Sequence, residues 1–531
     1  MACPRTSNQK PFSFLILCAV LLTTVFAGHA EAKDYGRTTG AGRGKPDDWF
    51  VRSDKPRHEK MTQGILGGEK RDILPPVPGM PIPQTERTKP PSPDYLLAKV
   101  RWGQSVVVGN AVIRDWNLAP NDYLEFIHLA RANGFKYLKS DTELTGFSYD
   151  PKRMPALLIS GVREVRFSSD IIDKLREYVL DGGMIICDSV YGSPWFYESA
   201  LKVFDEMFPE SRFRVLPEDH PLYHMVVDIE KVEYHCGRDD HKPFLEGLYI
   251  GSRIGVLVSR YGLGCGWQRK MEVFDTLQKR GLDAKAYSVK SARQIATNLT
   301  PYILGYAQVG EVEGKPEMFG LADQKRPTAE FVFAQVKHEG AWNAHPGAAR
   351  SLLTLLQKQS SIPVNLKRVA VDVAKDDLSA YPFLYFTGLD DFKLSPKQVE
   401  ALRTYVGDGG TLLINNALGL SEFHQAVMRE MARVFPGKEI SVLPVSHEIY
   451  GSLHKIDRVK YTPTLEKDKG EALKGRPVLY GMRIDGKLRV IYSRYDLEAG
   501  WNEIRYPQSR GYQSASAKKL GMNIIMYSMT H

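Results

Sequence analysis

The chain has 531 residues, a formal net charge of +9 and 43% hydrophobic residues, a globular composition with more length than one domain needs. Its basic residues are dispersed among acidic ones, with no Lys/Arg stripe interleaved with aromatics, which argues against nucleic acid as a partner. A basic exported chain would carry only a general bias toward anionic polymers.

Residues 1–32 read as an export signal. Arg5 and Lys10 give a basic start, Phe12 to Phe26 is an apolar core short for a membrane span, and Ala30-Glu31-Ala32 is an A-x-A cleavage site. No later stretch is long or apolar enough to span a membrane, so the expectation is an exported protein, periplasmic or secreted, with no span once the signal is removed. Retention of the segment as an anchor is the alternative. Residues 33–95 are rich in Pro, Gly and charge, including Pro75-Pro-Val-Pro-Gly-Met-Pro-Ile-Pro83; such a segment cannot bury enough apolar surface to order itself and reads as a disordered linker.

The remainder is duplicated. Pro155 to Gly183 and Pro382 to Gly410 align at an offset of 227 with 11 of 29 positions identical. The division is a first domain over 96–309, a linker over 310–327 and a second domain over 328–531. In each copy a short apolar run, Leu157–Ile159 or Phe383–Phe386, suits a parallel strand covered on both faces. A helix follows. Ser395, Pro396 and Gln398 form a capping box, and Ser168 holds the same position in the first copy. Asp-Gly-Gly stops the helix, because glycine tolerates the left-handed conformation. A second strand begins at once, at Met184 or Thr411. Strand, helix and strand with short links define a mostly parallel sheet in an α/β fold.

Other pieces also recur. Each copy opens with a strand, at Ala98 or Ala334, then carries Trp-Asn-x-x-Pro (Trp116 to Pro120; Trp342 to Pro346). The next strand is clear only in the second copy, at Val369–Val373. Later come Phe-Pro, then Val-Leu-Pro-x-x-His (Val215 to His220; Val442 to His447). Two further strands follow, turning at Asp485-Gly486 in the second copy, a hairpin signal. Ser-Arg-Tyr, Gly-Trp and a closing helix (Ala292 to Tyr306; Ala515 to Met529) end each copy. On these pieces each copy resembles the bacterial domain of unknown function 4159 family. The resemblance implies two tandem domains similar to flavodoxin-like and class I glutamine-amidotransferase-like folds, and implies no particular activity.

In an open parallel sheet, ligands bind beyond the carboxyl ends of the strands. That rule selects Trp116, Asn117, Arg163, Glu164, Asp188 and His220 of the first copy as a ligand site: an aromatic face, an amide, charges and a histidine. The first copy is preferred because Asp188 becomes Asn415 in the second, losing the charge a general base needs. Asp188 beside His220 would favour the protonated imidazole. The competing expectation is that the repeated Trp, Tyr and His residues are core and capping groups.

Cys187, with Asp188 and His220, is the weak catalytic candidate. It lies inside the strand and lacks the G-x-C-x-G or G-x-S-x-G of a nucleophile elbow. Cys3 and Cys18 leave with the signal, and export would permit a Cys236–Cys265 disulfide, which the sequence leaves open. His220, His224, His235, Cys236 and His241 crowd one segment without the paired spacing of a zinc site, so no metal is expected. No phosphate-cradling loop or dinucleotide fingerprint occurs, so no cofactor is expected. The functional expectation is a non-catalytic binding or scaffold protein for a polar envelope ligand or protein partner. The alternative is a hydrolase or amidotransferase-like enzyme acting through the first domain.

Overall fold

The computed structural model describes residues 95–108, 110–144, 150–236, 240–269, 272–280, 282–314, 319–320 and 330–531. The export signal, the 33–95 linker but for Tyr95, and much of the 310–327 linker lie outside the described residues.

The first sheet contains β1 (Tyr95–Arg101), β2 (Tyr137–Glu143), β3 (Ala156–Gly161), β4 (Met184–Ser189), β5 (Phe213–Val215), β6 (Glu246–Ile250) and β7 (Arg253–Ser259). Their order across the sheet is β2-β1-β3-β4-β7-β6-β5. The first five run parallel; β6 is antiparallel to β7, and β5, antiparallel to β6, runs with the first five again.

The second sheet contains β8 (Ala334–Val336), β9 (Val369–Val371), β10 (Phe383–Gly388), β11 (Thr411–Asn416), β12 (Ser441–Val442), β13 (Tyr480–Ile484) and β14 (Lys487–Ser493). Its order, β9-β8-β10-β11-β14-β13-β12, repeats the first strand for strand. Thus β3 and β10, the two most similar stretches, hold the same sheet position.

Every residue of β3, β4, β10 and β11 is buried, as expected for parallel strands covered on both faces. In the first domain α1 (Asp122–Ala132) and α4 (Val289–Glu313) cover one face, packing Phe126, Ile127, Ile295 and Leu299 on Leu158 and Ile186. The other face receives α2 (Ser169–Leu180) and α3 (Pro194–Met207), through Leu175, Val179 and Phe204 on Leu157 and Ile185. The second domain repeats this with α5 (Ala348–Gln359) and α8 (Ser514–Thr530) on one face and α6 (Pro396–Gly407) and α7 (Ser421–Val434) on the other.

Three local details depart from the sequence reading or refine it. The capping box of Ser395 and Gln398 forms, whereas Ser168 starts α2 without a side-chain cap, and Ile171 in the place of Gln398 offers no side chain for the reciprocal bond. Strand β2 carries no apolar run that marks a strand, since Tyr-Leu-Lys-Ser-Asp-Thr-Glu is mostly polar, as an edge strand tolerates. Helix α4 continues past Tyr306 to Glu313; its last turns are held by burial of Val309, Gly310 and Glu313 against the Asp-Gly-Gly turn, where a Cβ on Gly310 would lie 2.7 Å from the Gly182 Cα.

The two domains stack head to tail. The amino edge of the first sheet, with the end of α4, meets loops at the carboxyl edge of the second. Glu313 bonds His345 at 2.9 Å, Arg214 pairs with Asp390 at 3.0 Å, Tyr306 donates to the Pro507 carbonyl at 2.8 Å, and the Ser421 N–H donates to Asp219 at 2.7 Å.

Candidate functional site at the strand ends

Asp188 is next to last in β4 and is fully buried. Its carboxylate accepts the Leu263 N–H at 2.7 Å and the Gly264 N–H at 2.9 Å, so it caps the one-turn helix Gly264–Trp267. Burial, with the Asp122 carboxylate nearby, lifts its pKa to about 6, against the pull of those two N–H groups and of Lys99. Lys99, buried in mid-β1, donates to both Asp122 oxygens at 2.8 and 2.9 Å and to the Ala119 carbonyl at 3.1 Å. The sequence signal for this pair is a lysine set between Leu97-Ala98 and Val100 in β1.

His220 lies elsewhere. Its Nδ1 accepts the Leu222 N–H at 3.1 Å, and its ring packs against Tyr223, Tyr249 and Tyr302. Burial drops its pKa to about 3, so it is neutral. Tyr249 pairs with Ile254 at the start of β7, while Asp188 pairs with Ser259 at its end. Five residue steps along β7 set those two levels about 16 Å apart at ~3.3 Å per residue. The expected convergence of Asp188 and His220 therefore does not occur: the long connection after β5 returns to the amino edge, which sequence order does not reveal.

Cys187 faces the opposite side of the sheet, among Ile185, Phe196 and Val258. Burial pushes its thiol well above the usual range, the condition of an inert cysteine. The other histidines of that segment are engaged separately. His224 bonds Asp228 and the Glu218 carbonyl, His241 bonds the Val232 carbonyl, and the His235 ring lies against Phe274. Among the described residues no group of three or more His, Cys, Asp or Glu is arranged to hold a metal. The side chain of Cys236 is outside the described residues, and the Cys236–Cys265 pairing with it.

Trp116, Asn117, Arg163 and Glu164 occupy the loops leaving β1 and β3. Asp115, just before the Trp-Asn pair, organises them. It is buried and accepts the Val162 and Arg163 N–H groups, both at 3.2 Å. Burial raises its pKa despite these bonds and the Arg163 guanidinium. The tightness of the site shows at Gly161, where a Cβ would come within 2.5 Å of the Trp102 ring. Arg163 Nη2 donates to the Gln104 carbonyl at 2.5 Å, and Glu164 pairs with Arg166 at 2.6 Å. Beside them is an open groove of about 640 Å³, lined by Arg101, Trp102, Arg114, Trp116, Glu143 and Arg166 among others. Arg101 lies over the Trp116 ring at 5.6 Å. Of the six expected residues, then, Trp116 lines this groove and Arg163 and Glu164 adjoin it. Asn117 is half-buried in the same loop. Asp188 serves the backbone beneath, and His220 is remote.

The second copy moves its carboxylate. Asn415, in the place of Asp188, accepts the Leu497 N–H at 2.9 Å and donates to Asp496 at 3.1 Å. Asp496 stands where the first copy has Gly262, and it accepts the Glu498 and Leu418 N–H groups. His345 joins Asp496 at 3.0 Å to Glu313 at 2.9 Å, all three fully buried. Burial alone would lower the His345 pKa, but the two carboxylates outweigh it and hold it well above the usual value. Close by, Glu498 is buried, and burial lifts its pKa to about 7.

Two tandem α/β domains with matching sheets, each with polar residues gathered at the carboxyl edge, define the class. The chain belongs to the family described as Domain of unknown function (DUF4159), which matches residues 134–304 and again 332–529. No curated protein matches it.

Proposed function

We propose that this is an exported, non-catalytic binding protein whose ligand site is the carboxyl edge of the first sheet. One observation carries the reading. The corresponding edge of the second sheet is packed against the first domain, whereas the groove at the first edge is lined by first-domain residues alone. The chain is also longer there. Thirteen residues separate Trp102 from Trp116, against three between His338 and Trp342. The additional residues form a small hairpin, Val106–Val108 with Ala111–Ile113, that carries Val107 and Val112 outward at 70% and 55% exposure.

Arg101, Arg114 and Arg166 against Glu143 make the groove basic, and Trp116 supplies a flat face. That combination favours a polar, negatively charged component of the cell envelope. The order 2-1-3-4-7-6-5 of each sheet, numbered by sequence, opens with the parallel 2-1-3-4 run of a flavodoxin-like domain and supports that reading, in which ligands sit where strand order reverses. That point is the β1–β3 boundary beside Trp116. Cys187, buried in the core on the opposite face of the sheet, speaks against the hydrolase alternative.

The test uses the secreted protein, whose first residue is expected to be Lys33. Tryptophan fluorescence is followed on titration with short anionic oligosaccharides and their neutral counterparts. The anionic probes are expected to change the signal, and Trp116→Phe or Arg101→Ala to weaken binding about tenfold or more with unchanged melting temperature. Equal response to neutral probes, or no effect of either variant, would discard the assignment.

A further inference from the structure

The head-to-tail packing does not close the second carboxyl edge completely. A cleft of about 440 Å³ remains between the domains, within the size range of small-molecule sites. It lies where β8 and β10 adjoin, at the reversal point of the second sheet. The second domain contributes His338, Glu339, Trp342, Asn343 and Asp390, and the first contributes Arg176, Arg212, Arg214 and Tyr249, among others.

Most of these groups are already engaged with protein. His338 donates from Nε2 to the Thr387 carbonyl at 2.7 Å and accepts the Gly340 N–H on Nδ1 at 3.1 Å, so the ring is neutral and fixed. Asp390 accepts the Ala341 N–H at 2.7 Å and pairs with Arg214 at 3.0 Å. Arg176 pairs with Glu210 at 2.7 Å. Asn343 accepts from Arg368 at 2.5 Å. Two charged lining groups stand apart: among the described residues the guanidinium of Arg212 and the carboxylate of Glu339 form no ion pair, with each other or with a neighbour. They have opposite sign, come from different domains and face one cleft whose wall carries the half-buried Trp342.

We propose that this cleft is a second binding site, for a small zwitterion: an amino acid or the ends of a short peptide. Arg212 receives the carboxylate, Glu339 the ammonium, and Trp342 packs against the part between. A bidentate guanidinium–carboxylate contact sets the polarity of the ligand. A ligand with one charge blocked leaves the opposing protein charge partly desolvated and unpaired, and this gives discrimination.

Isothermal titration of the full chain with alanyl-alanine, its N-acetyl form and its C-terminal amide tests this. The free dipeptide is expected to bind, and each blocked form to bind about tenfold more weakly or worse. Arg212→Ala should reduce the free dipeptide to the level of the amide while leaving the amide unchanged. Glu339→Gln should do the same with respect to the acetyl form. Both residues are exposed, so folding should survive. Trp116→Phe should change nothing, which separates this cleft from the groove on the first domain. No heat with any of the three at millimolar concentration, equal affinity for free and blocked forms, or loss of binding in Trp116→Phe would each overturn the proposal.

Discussion

Asp188 shows how one residue's role depends on its partners. It serves as a cap for two backbone N–H groups rather than as a base. Replacing it with Asn keeps an acceptor for Leu263 but turns an amide N–H₂ toward the Gly264 N–H. The second copy tolerates Asn415 only because Asp496 accepts both from that amide and from the Glu498 N–H. Asp188→Asn is therefore expected to cost about 1–3 kcal/mol at neutral pH, the range for a buried donor left without its partner. Adding Gly262→Asp, which restores the second copy's arrangement, should recover part of that. The pH dependence has a definite sign. The folded pKa of about 6 lies above the ordinary 3.8, so the native state holds the proton longer than the unfolded state. Stability of the unaltered protein should fall from about pH 4 to about pH 6. The gap to Asp188→Asn should thus be widest at low pH, and urea denaturation at several pH values measures it. A gap that widens with rising pH would contradict this account.

At the scale of elements, the Asp-Gly-Gly sequence that ends α2 and α6 is explained twice over. Gly182 and Gly409 have φ of +109° and +101°, a region L residues avoid. Gly183 and Gly410 are needed for space. A Cβ on either would stand 2.3 Å from the ring of Tyr178 or Tyr405, five residues earlier. Those tyrosines bond the Met154 and Thr411 carbonyls, so their rings cannot swing away freely. Gly183→Ala and Gly410→Ala should each destabilise by about 1–3 kcal/mol, the usual cost of overpacking. Pairing Gly183→Ala with Tyr178→Leu should cost less than the sum of the single changes. Thermal melts of the four proteins decide it; strict additivity would mean that the ring is not the obstacle.

For the whole molecule, the Glu313–His345–Asp496 triad ties the end of α4 to the second domain. Arg368, Glu498 and the Tyr506 ring surround it. His345→Ala leaves two buried carboxylates without their cation, which typically costs about 3–5 kcal/mol. The raised pKa of His345 means its contribution is complete below the ordinary imidazole range and is lost as pH rises through the folded value. Burial acts to raise the Asp496 pKa, but His345 and the hydrogen bonds bring it below normal; its contribution is lost as pH falls through that lowered value. The difference between the unaltered protein and His345→Ala should therefore be greatest in mildly acidic solution, between the ordinary carboxylate value of 3.8 and the ordinary imidazole value of 6.5, and shrink toward both extremes. Chemical denaturation across that range is the check, and a pH-independent difference would rule out the ionic account.

Much of the architecture was legible in the chain itself. Parallel strands buried on both faces produce continuous apolar runs, and helix ends need glycine, so Leu157–Ile159, Phe383–Phe386 and both Asp-Gly-Gly turns announced two copies of one α/β unit. Trp116 and Arg163 were also within reach, because a strand's carboxyl end is fixed once the strand is found. Edge strand β2 was not, since Tyr-Leu-Lys-Ser-Asp-Thr-Glu carries no continuous apolar run. Nor was the separation of Asp188 from His220, which depends on where a long connection returns. The stacking of one domain's amino edge on the other's carboxyl edge was equally hidden. It is made by pairs such as Glu313–His345 and Arg214–Asp390, distant in sequence and different in the two copies, and only the folded chain brings them together.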